Sequence, residues 1–436
     1  MQRARAQPAL TEDLFNHHDL MQAVLAPDNL RRAWKRVKSN RGAPGIDRIS
    51  IDDFTAHAKV HWPDIRRHLE AGDYQPTAVR RVTIPKAGGG ERLLGIPTVT
   101  DRVIQQAIAQ VLTPIFDPAF SASSFGFRPG RNAHQAVRQV QTYIEAGYRI
   151  AVDIDLAKFF DTVNHDVLMG LLGRRIRDKR LLALIGRYLR AGVLVGEHVH
   201  PSDVGTPQGG PLSPLLANIL LHQLDGELER RGHRFARYAD DLIILVKSQR
   251  AGERVKRSLT RYLEHTLKLT VNEAKSKVAP VRECAFLSFT FRGKKLRWTD
   301  AALEDFKHRV RTLTGRSWGV SMDYRMLKLG QYVRGWMGYF GVSQYYRPIP
   351  ELDDWLRRRI RMCYWKQWRL CRTKIRHLRE LGVNLEMAIR HAVSSKSYWH
   401  MARTPALQIA MSNAWLKAQG LVSVRDLWMK AQGYAV

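Results

Sequence analysis

Around residue 240 the chain alternates between apolar runs and one tight polar break. Phe235 and Tyr238 belong to a short run on one side, and Leu242-Ile243-Ile244-Leu245-Val246 is unbroken on the other. Apolar runs flanking a turn predict a hairpin in a buried sheet. The break carries Asp240 and Asp241, adjacent carboxylates whose burial is costly unless a cation lies between them. At a turn both can be aimed at one point, and hard oxygen donors of this kind suit Mg²⁺. By themselves they read equally well as the polar tip of a hairpin.

The alternation recurs upstream. Val152, Ile154 and Leu156 interleave with Asp153 and Asp155, which predicts a strand with both acids on one face. Asp155, near the strand end, is the candidate for chemistry, while Asp161 and Thr162 are expected to start and cap the next helix. Gly205-Thr206-Pro207-Gln208-Gly209-Gly210-Pro211-Leu212-Ser213-Pro214 then forms a loop of small and rigid residues. It launches a helix with Ser213 as N-cap and Pro214 at the first helical position. Leu215, Leu216, Ile219, Leu220, Leu224 and Leu228 supply its buried face. Glycines in the loop allow close backbone approach to a base pair or sugar.

Helical patterns open the chain. Leu30, Ala33, Trp34 and Val37 share one face, a glycine- and proline-dense break follows at 40–45, and 64–72 reads as a second, short helix. Strands at 82–86 and 91–97 flank a glycine-rich tip and present Lys86 and Arg92. These are either a grip on phosphates or solvated edge charges. A helix over 101–116 precedes a loop at 124–131, where Phe125, Phe127, Arg128 and Arg131 combine rings and guanidinium groups suited to nucleic acid.

Composition narrows the partner. The 436 residues carry a formal charge of +31, far beyond what solubility requires, and nucleic acid is the natural counter-surface. That length predicts about three domains. No run of apolar residues is long enough for a membrane span, and the basic opening Met1-Gln2-Arg3-Ala4-Arg5 lacks the apolar core of a secretory signal. Cys284, Cys363 and Cys371 make no zinc pattern. On one helix the last two would stand about 12 Å apart, too far for a disulfide. A reduced, cytoplasmic chain is expected.

Residues 301–436 hold eight of the eleven tryptophans and 24 Lys and Arg against 9 Asp and Glu. Leu352, Leu356, Ile360, Cys363, Trp368, Cys371 and Ile375 recur at helical spacing. Arg357, Arg358, Arg359 and Arg361 lie among the cations on the other faces. A long basic helix tracking a nucleic-acid backbone is the expectation. Further helices are expected at 384–392 and 405–419.

Several motifs in this order carry a resemblance. Asp155 with Phe160, Thr206-Pro207-Gln208-Gly209-Gly210 with Ser213-Pro214, and Tyr238-Ala239-Asp240-Asp241 resemble the palm motifs of reverse transcriptases. Residues 269–275 and 286–291 resemble two later palm motifs, with Ala274-Lys275-Ser276 and Leu287-Ser288-Phe289 as mild departures. Ile84-Pro85-Lys86, Gly95-Ile96-Pro97 and Phe125-Gly126-Phe127-Arg128-Pro129-Gly130-Arg131 are similar to the group II intron-encoded branch. Val333-Arg334-Gly335-Trp336-Met337-Gly338-Tyr339-Phe340 resembles its maturase (thumb) domain.

The resemblance implies a right-hand polymerase of α/β plus all-α class. It would have a helical N-terminal extension running into the fingers (1–75), fingers and an antiparallel palm (76–300), a helical maturase thumb (301–375) and a small helical DNA-binding domain (376–436). It implies two Mg²⁺ ions held by Asp155, Asp240 and Asp241, with Lys86 and Arg92 on the triphosphate. Gln208 would touch the substrate, Phe160 would face the sugar so as to exclude a 2′-hydroxyl, and Lys275 would assist the pyrophosphate. Implied partners are group II intron RNA, an RNA template with DNA primer, target DNA and dNTPs. With no endonuclease module before Val436, an endonuclease-lacking lineage close to group IIC is expected. Rival readings are a defence- or CRISPR-associated reverse transcriptase and an RNA-binding splicing cofactor with an idle polymerase site.

Overall fold

The computed structural model describes residues 19–85, 91–195, 198–200 and 209–435. The chain divides into two compact units, Met1–Pro280 and Val281–Val436.

At the centre of the first unit is the helix Val99–Phe116, buried on nearly every side. Thr98 caps it by accepting from the amide of Asp101 at 3.1 Å. The helix Pro27–Ser39 packs against it through Ala33 and Val37, with Leu30 and Trp34 half-buried. The helix expected at 64–72 is longer and spans Phe54–Ala71, passing through Pro63. Its end is as expected, because Gly72 takes the left-handed C-cap that suits a residue without Cβ (φ 78°).

Two sheets complete this unit. One has the order β2-β1-β4-β5, from strands β1 (Val79–Pro85), β2 (Glu91–Ile96), β4 (Val193–Val195) and β5 (His198–His200). The other is antiparallel, in the order β6-β7-β3-β8. It is built from β3 (Ile150–Ile154), β6 (Arg234–Tyr238), β7 (Asp241–Val246) and β8 (Lys277–Pro280). Side chains alternate across a strand, so this sheet has two unlike faces. Val152, Ile154, Leu242, Ile244, Val246 and Phe235 join the main core together with the leucines of the helices Ser213–Arg230 and Gln249–His265. Each buried leucine contributes roughly 1.5–3 kcal/mol. Asp153, Asp155, Asp241 and Tyr238 lie on the opposite face.

Two helix starts differ from expectation. The turn Phe159–Thr162 stops at Val163, and the following helix His165–Gly173 is capped by Asn164, whose side chain accepts from the Val167 amide. Asp161 is therefore not the cap. Ser213 is itself helical and buried, Leu212 occupies the cap position, and no side chain caps this end.

The second unit has a hairpin, β9 (Phe289–Arg292) and β10 (Lys295–Trp298), and a helical remainder around Trp298, Phe306, Trp336 and Trp365. The long basic helix is two helices, Pro348–Gln367 and Cys371–Glu380, because the chain turns at Trp368 to bury its indole. The pattern expected at 384–392 is the helix Leu385–Ala392, whereas 405–419 divides into Pro405–Ala410 and Asn413–Ala418. No helix among the described residues is long and apolar enough to cross a membrane.

Candidate active site

β3 and β7 pair Asp153 with Ile243 and Ile154 with Leu242. Extending this register by one residue sets Asp155 opposite Asp241 on the open face of the sheet. β6 and β7 pair Tyr238 with Asp241, so Ala239 and Asp240 form a two-residue hairpin tip. Ala239 sits at φ +57°, a left-handed conformation common at such tips but ordinarily assigned to glycine.

The electrostatics follow from this crowding. Asp241 is exposed at its tip, yet protein surrounds its carboxyl on most sides. This desolvation, then the charges of Asp240, Asp153 and Asp155, push its pKa up to about 6. Burial also raises Asp153; Lys277, its partner across β8, opposes that shift and Asp155 adds to it. A divalent cation among these oxygens would relieve the repulsion, and an all-oxygen donor set fits Mg²⁺. Asp155 itself is pinned through its backbone. Its amide donates to Ser276 Oγ at 3.0 Å and its carbonyl accepts from the Asn272 amide at 2.8 Å. The segment around 269–276 thus works by holding the strand end still, while the side chain of Lys275 is exposed.

Behind the hairpin lies a group that sequence patterning missed. Arg237 is fully buried, and all five of its N–H groups are used. Nε and Nη2 bracket the carboxylate of Asp225 at 2.7 and 2.6 Å, and Nη2 also donates to Ser124 Oγ at 2.8 Å. Nη1 donates to Asn218 Oδ1 at 2.9 Å and to the carbonyl of Ala239 at 2.8 Å. Asn218 in turn donates to the carbonyl of Gly126 at 2.8 Å. A Cβ on Gly126 would collide with the amide of Ala239, so this loop needs glycine to touch the hairpin. The available signal was Asp225, a lone acid amid Leu220, Leu221, Leu224 and Leu228, with Asn218 two turns before it on the same helix.

The remaining expected residues divide. Phe160 is half-buried on the turn Phe159–Thr162, edge-on to Phe159 with ring centroids 5.1 Å apart. Lys86 and Gln208 lie outside the described residues, and Arg92 is on β2 opposite Ile84. Gly209 and Gly210 make the expected close approach, but to this chain itself: Cβ atoms there would strike the Gly95 carbonyl and the Gln105 side chain.

Arg128 is turned inward onto Asp117 at 2.7 Å and onto the carbonyls of Ser121 and Ser124, so it braces its loop rather than facing a partner. Arg131 stays partly open at the rim of a cleft of about 1190 Å³. Arg32, Lys35, Arg36, exposed Phe127 and Tyr238 also line this cleft.

The four arginines of the helix Pro348–Gln367 are likewise largely committed within the protein. Arg357 pairs with Asp354 at 2.8 Å, and Arg358 stacks on Trp399 at 3.9 Å while donating to its carbonyl. Arg359 donates to Thr314 Oγ1 at 2.6 Å, and buried Arg361 donates to the carbonyl of Met411 at 2.9 Å. The free basic face expected at these positions is thus largely taken up by partners within the protein. The reason is that carboxylates, a threonine hydroxyl, a tryptophan ring and backbone carbonyls of the protein already engage them.

Residues 84–291 match the family described as "Reverse transcriptase (RNA-dependent DNA polymerase)", and residues 303–382 match "Group II intron, maturase-specific domain". Protein YkfC of Escherichia coli (strain K12) is 32% identical over 336 residues, covering 68% of this chain and 87% of that protein. The group II intron-encoded protein LtrA of Lactococcus lactis subsp. cremoris is 37% identical over 262 residues. That match covers 59% of this chain and 42% of LtrA, so this chain spans less than half of that relative. Among solved structures, a Cas6-RT-Cas1–Cas2 complex is similar with a TM-score of 0.38 at 28% identity, covering 57% of this chain and 27% of that one.

Proposed function

Because the chain belongs to the family of group II intron-encoded reverse transcriptases and maturases, we propose that it copies RNA into DNA and binds intron RNA. Through that binding it promotes splicing, and it supports retrohoming by extending a primer in target DNA. The observation that carries the catalytic half is Asp155 set opposite Asp241, with Asp240 beside it at a braced hairpin tip. The match at 303–382 favours an intron partner over a defence system. Its place would be the bacterial cytoplasm, on nucleic acid.

Nucleotidyl transfer is an in-line displacement. The primer 3′-oxygen forms a bond to the α-phosphorus of the dNTP as the bond to the bridging oxygen of pyrophosphate breaks. Asp155, Asp240 and Asp241 would hold two Mg²⁺ ions, which when bound stabilise charge on the attacking and leaving oxygens. Among the described residues no three acidic, His or Cys side chains converge tightly enough to hold a metal unaided. Mg²⁺ usually takes one or two carboxylates and completes its shell with water and substrate phosphate. The chain's own work is positional. Ser276 and Asn272 fix Asp155, Arg237 fixes the carbonyl of Ala239, and Phe160 would stand against the sugar. Lys86, Arg92 and Gln208 would contact the incoming nucleotide, and Lys275 the departing pyrophosphate.

The test pairs two measurements on Asp240→Ala/Asp241→Ala. Primer extension on an RNA template should fall by several orders of magnitude. RNA binding should persist. Retained DNA synthesis would remove the catalytic assignment.

A further inference from the structure

The arginines of the helix Pro348–Gln367 are mostly spent within the fold, so the positive charge offered to a partner in this unit must come from elsewhere. Three cations that share one aromatic ring are one such source. Arg316 Cζ lies 5.4 Å from the ring centroid of Tyr398, Lys366 Nζ 5.2 Å and Lys374 Nζ 6.0 Å, the last also 4.6 Å from the ring of Trp365. These distances keep every pair within about 12 Å of one another. They come from three places: the segment after the helix Asp300–Leu313, the last turn of Pro348–Gln367, and the first turns of Cys371–Glu380. The chain reversal at Trp368 allows the last two to meet. Arg316 and Lys366 are exposed and Lys374 is half-buried. Among the described residues none of the three pairs with a carboxylate, whereas nearby Arg357 and Arg376 do.

We propose that Arg316, Lys366 and Lys374, gathered around Tyr398, bind the phosphodiester backbone of RNA. Three like charges at this spacing, comparable to the screening length of roughly 8–10 Å, repel one another. An aromatic face attracts each of them but neutralises none. A run of phosphates supplies the missing counter-charge, and lysine and arginine together offer point and forked donors to it. All three cations fall within residues 303–382, the part of the chain that matches the maturase-specific family. RNA as the occupant therefore rests on the intron-binding half of the function proposed above.

The experiment measures binding of the full chain to a fluorescent 20-nucleotide single-stranded RNA across a salt series. Each lost phosphate contact on a single strand should flatten the slope of log affinity against log salt by about 0.7. The variant Arg316→Gln/Lys366→Gln/Lys374→Gln should therefore lose about 2 from the slope. Lys366→Gln alone should lose about one-third as much and guards against a folding defect in the triple variant. Tyr398→Phe, which keeps the ring, should match the wild type. An unchanged slope in both charge variants overturns the site, as does loss of slope on duplex DNA with none on RNA. A wild-type chain that binds no RNA would instead overturn the proposed intron partnership.

Discussion

Arg237 and Asp225 face each other at 2.6 and 2.7 Å directly behind the hairpin that carries Asp240 and Asp241, and both are fully buried. Removing one partner of such a pair leaves an uncompensated charge and costs about 3–5 kcal/mol. Asp225→Asn should therefore melt well below the wild type. The double variant Asp225→Leu/Arg237→Met should recover much of that stability, since well-packed apolar replacements often do. It should still polymerise poorly, because nothing then holds the carbonyl of Ala239. Wild-type primer extension by the double variant would deny Arg237 any part in positioning the hairpin.

Gly126→Ala tests the same hairpin from the other side. The new methyl meets the backbone of Tyr238 and Ala239, which cannot swing away as a side chain can. Overpacking of this kind typically costs 1–3 kcal/mol. DNA synthesis should fall further than RNA binding when both are assayed on one preparation.

Sugar selection falls to Phe160. Trimming it to valine removes bulk beside the proposed nucleotide site, so ribonucleotides should be incorporated at least tenfold more readily, a change of about 1.4 kcal/mol. The readout is the ratio of dNTP to NTP incorporation in single-nucleotide extension. An unchanged ratio would make Phe160 a packing residue like Phe159.

Acid should loosen the fold through His222. Its ring packs 5.5 Å from Phe120, and Nδ1 is buried with no hydrogen-bond partner among the described residues. Burial, first among the causes, holds its pKa below the usual histidine range. The charges of Asp225 and Glu229 oppose that shift; those of Arg175 and Arg237 reinforce it. A depressed folded-state value means that the stability is present above the unfolded value near 6.5. It is lost as pH falls through the lower, folded one. Between pH 7 and 5 the melting temperature of the wild type should drop more than that of His222→Gln. Parallel curves would place the acid sensitivity elsewhere.

Much of this site was legible before the fold. Alternation around Asp155 and the polar break at Asp240-Asp241 fixed which residues share a face, because strand geometry leaves little freedom there. The bracing was not legible, since Arg237 meets Asp225 and Asn218 only where its strand packs on the helix before it, and Gly126 lies 92 residues from Asn218 in the chain. The arginines from 357 to 361 misled for a related reason. Charge counts cannot distinguish a guanidinium that faces solvent from one stacked on Trp399. The helix read at 64–72 likewise begins ten residues earlier, at Phe54, and carries Pro63 internally.

The pairing of Asp155 against Asp241 has a bearing on any attempt to engineer this hairpin by loop grafting. A strand has only two sides, and a shift of a single position exchanges them. One extra residue accommodated in β7 by such a slip would swing its acid into the layer now filled by Leu242 and Ile244. It would also turn those apolar chains out toward the template. Length at this tip should therefore be far less forgiving than side-chain identity: a chimera with Gly in place of Ala239 is a safer graft than any tip one residue longer.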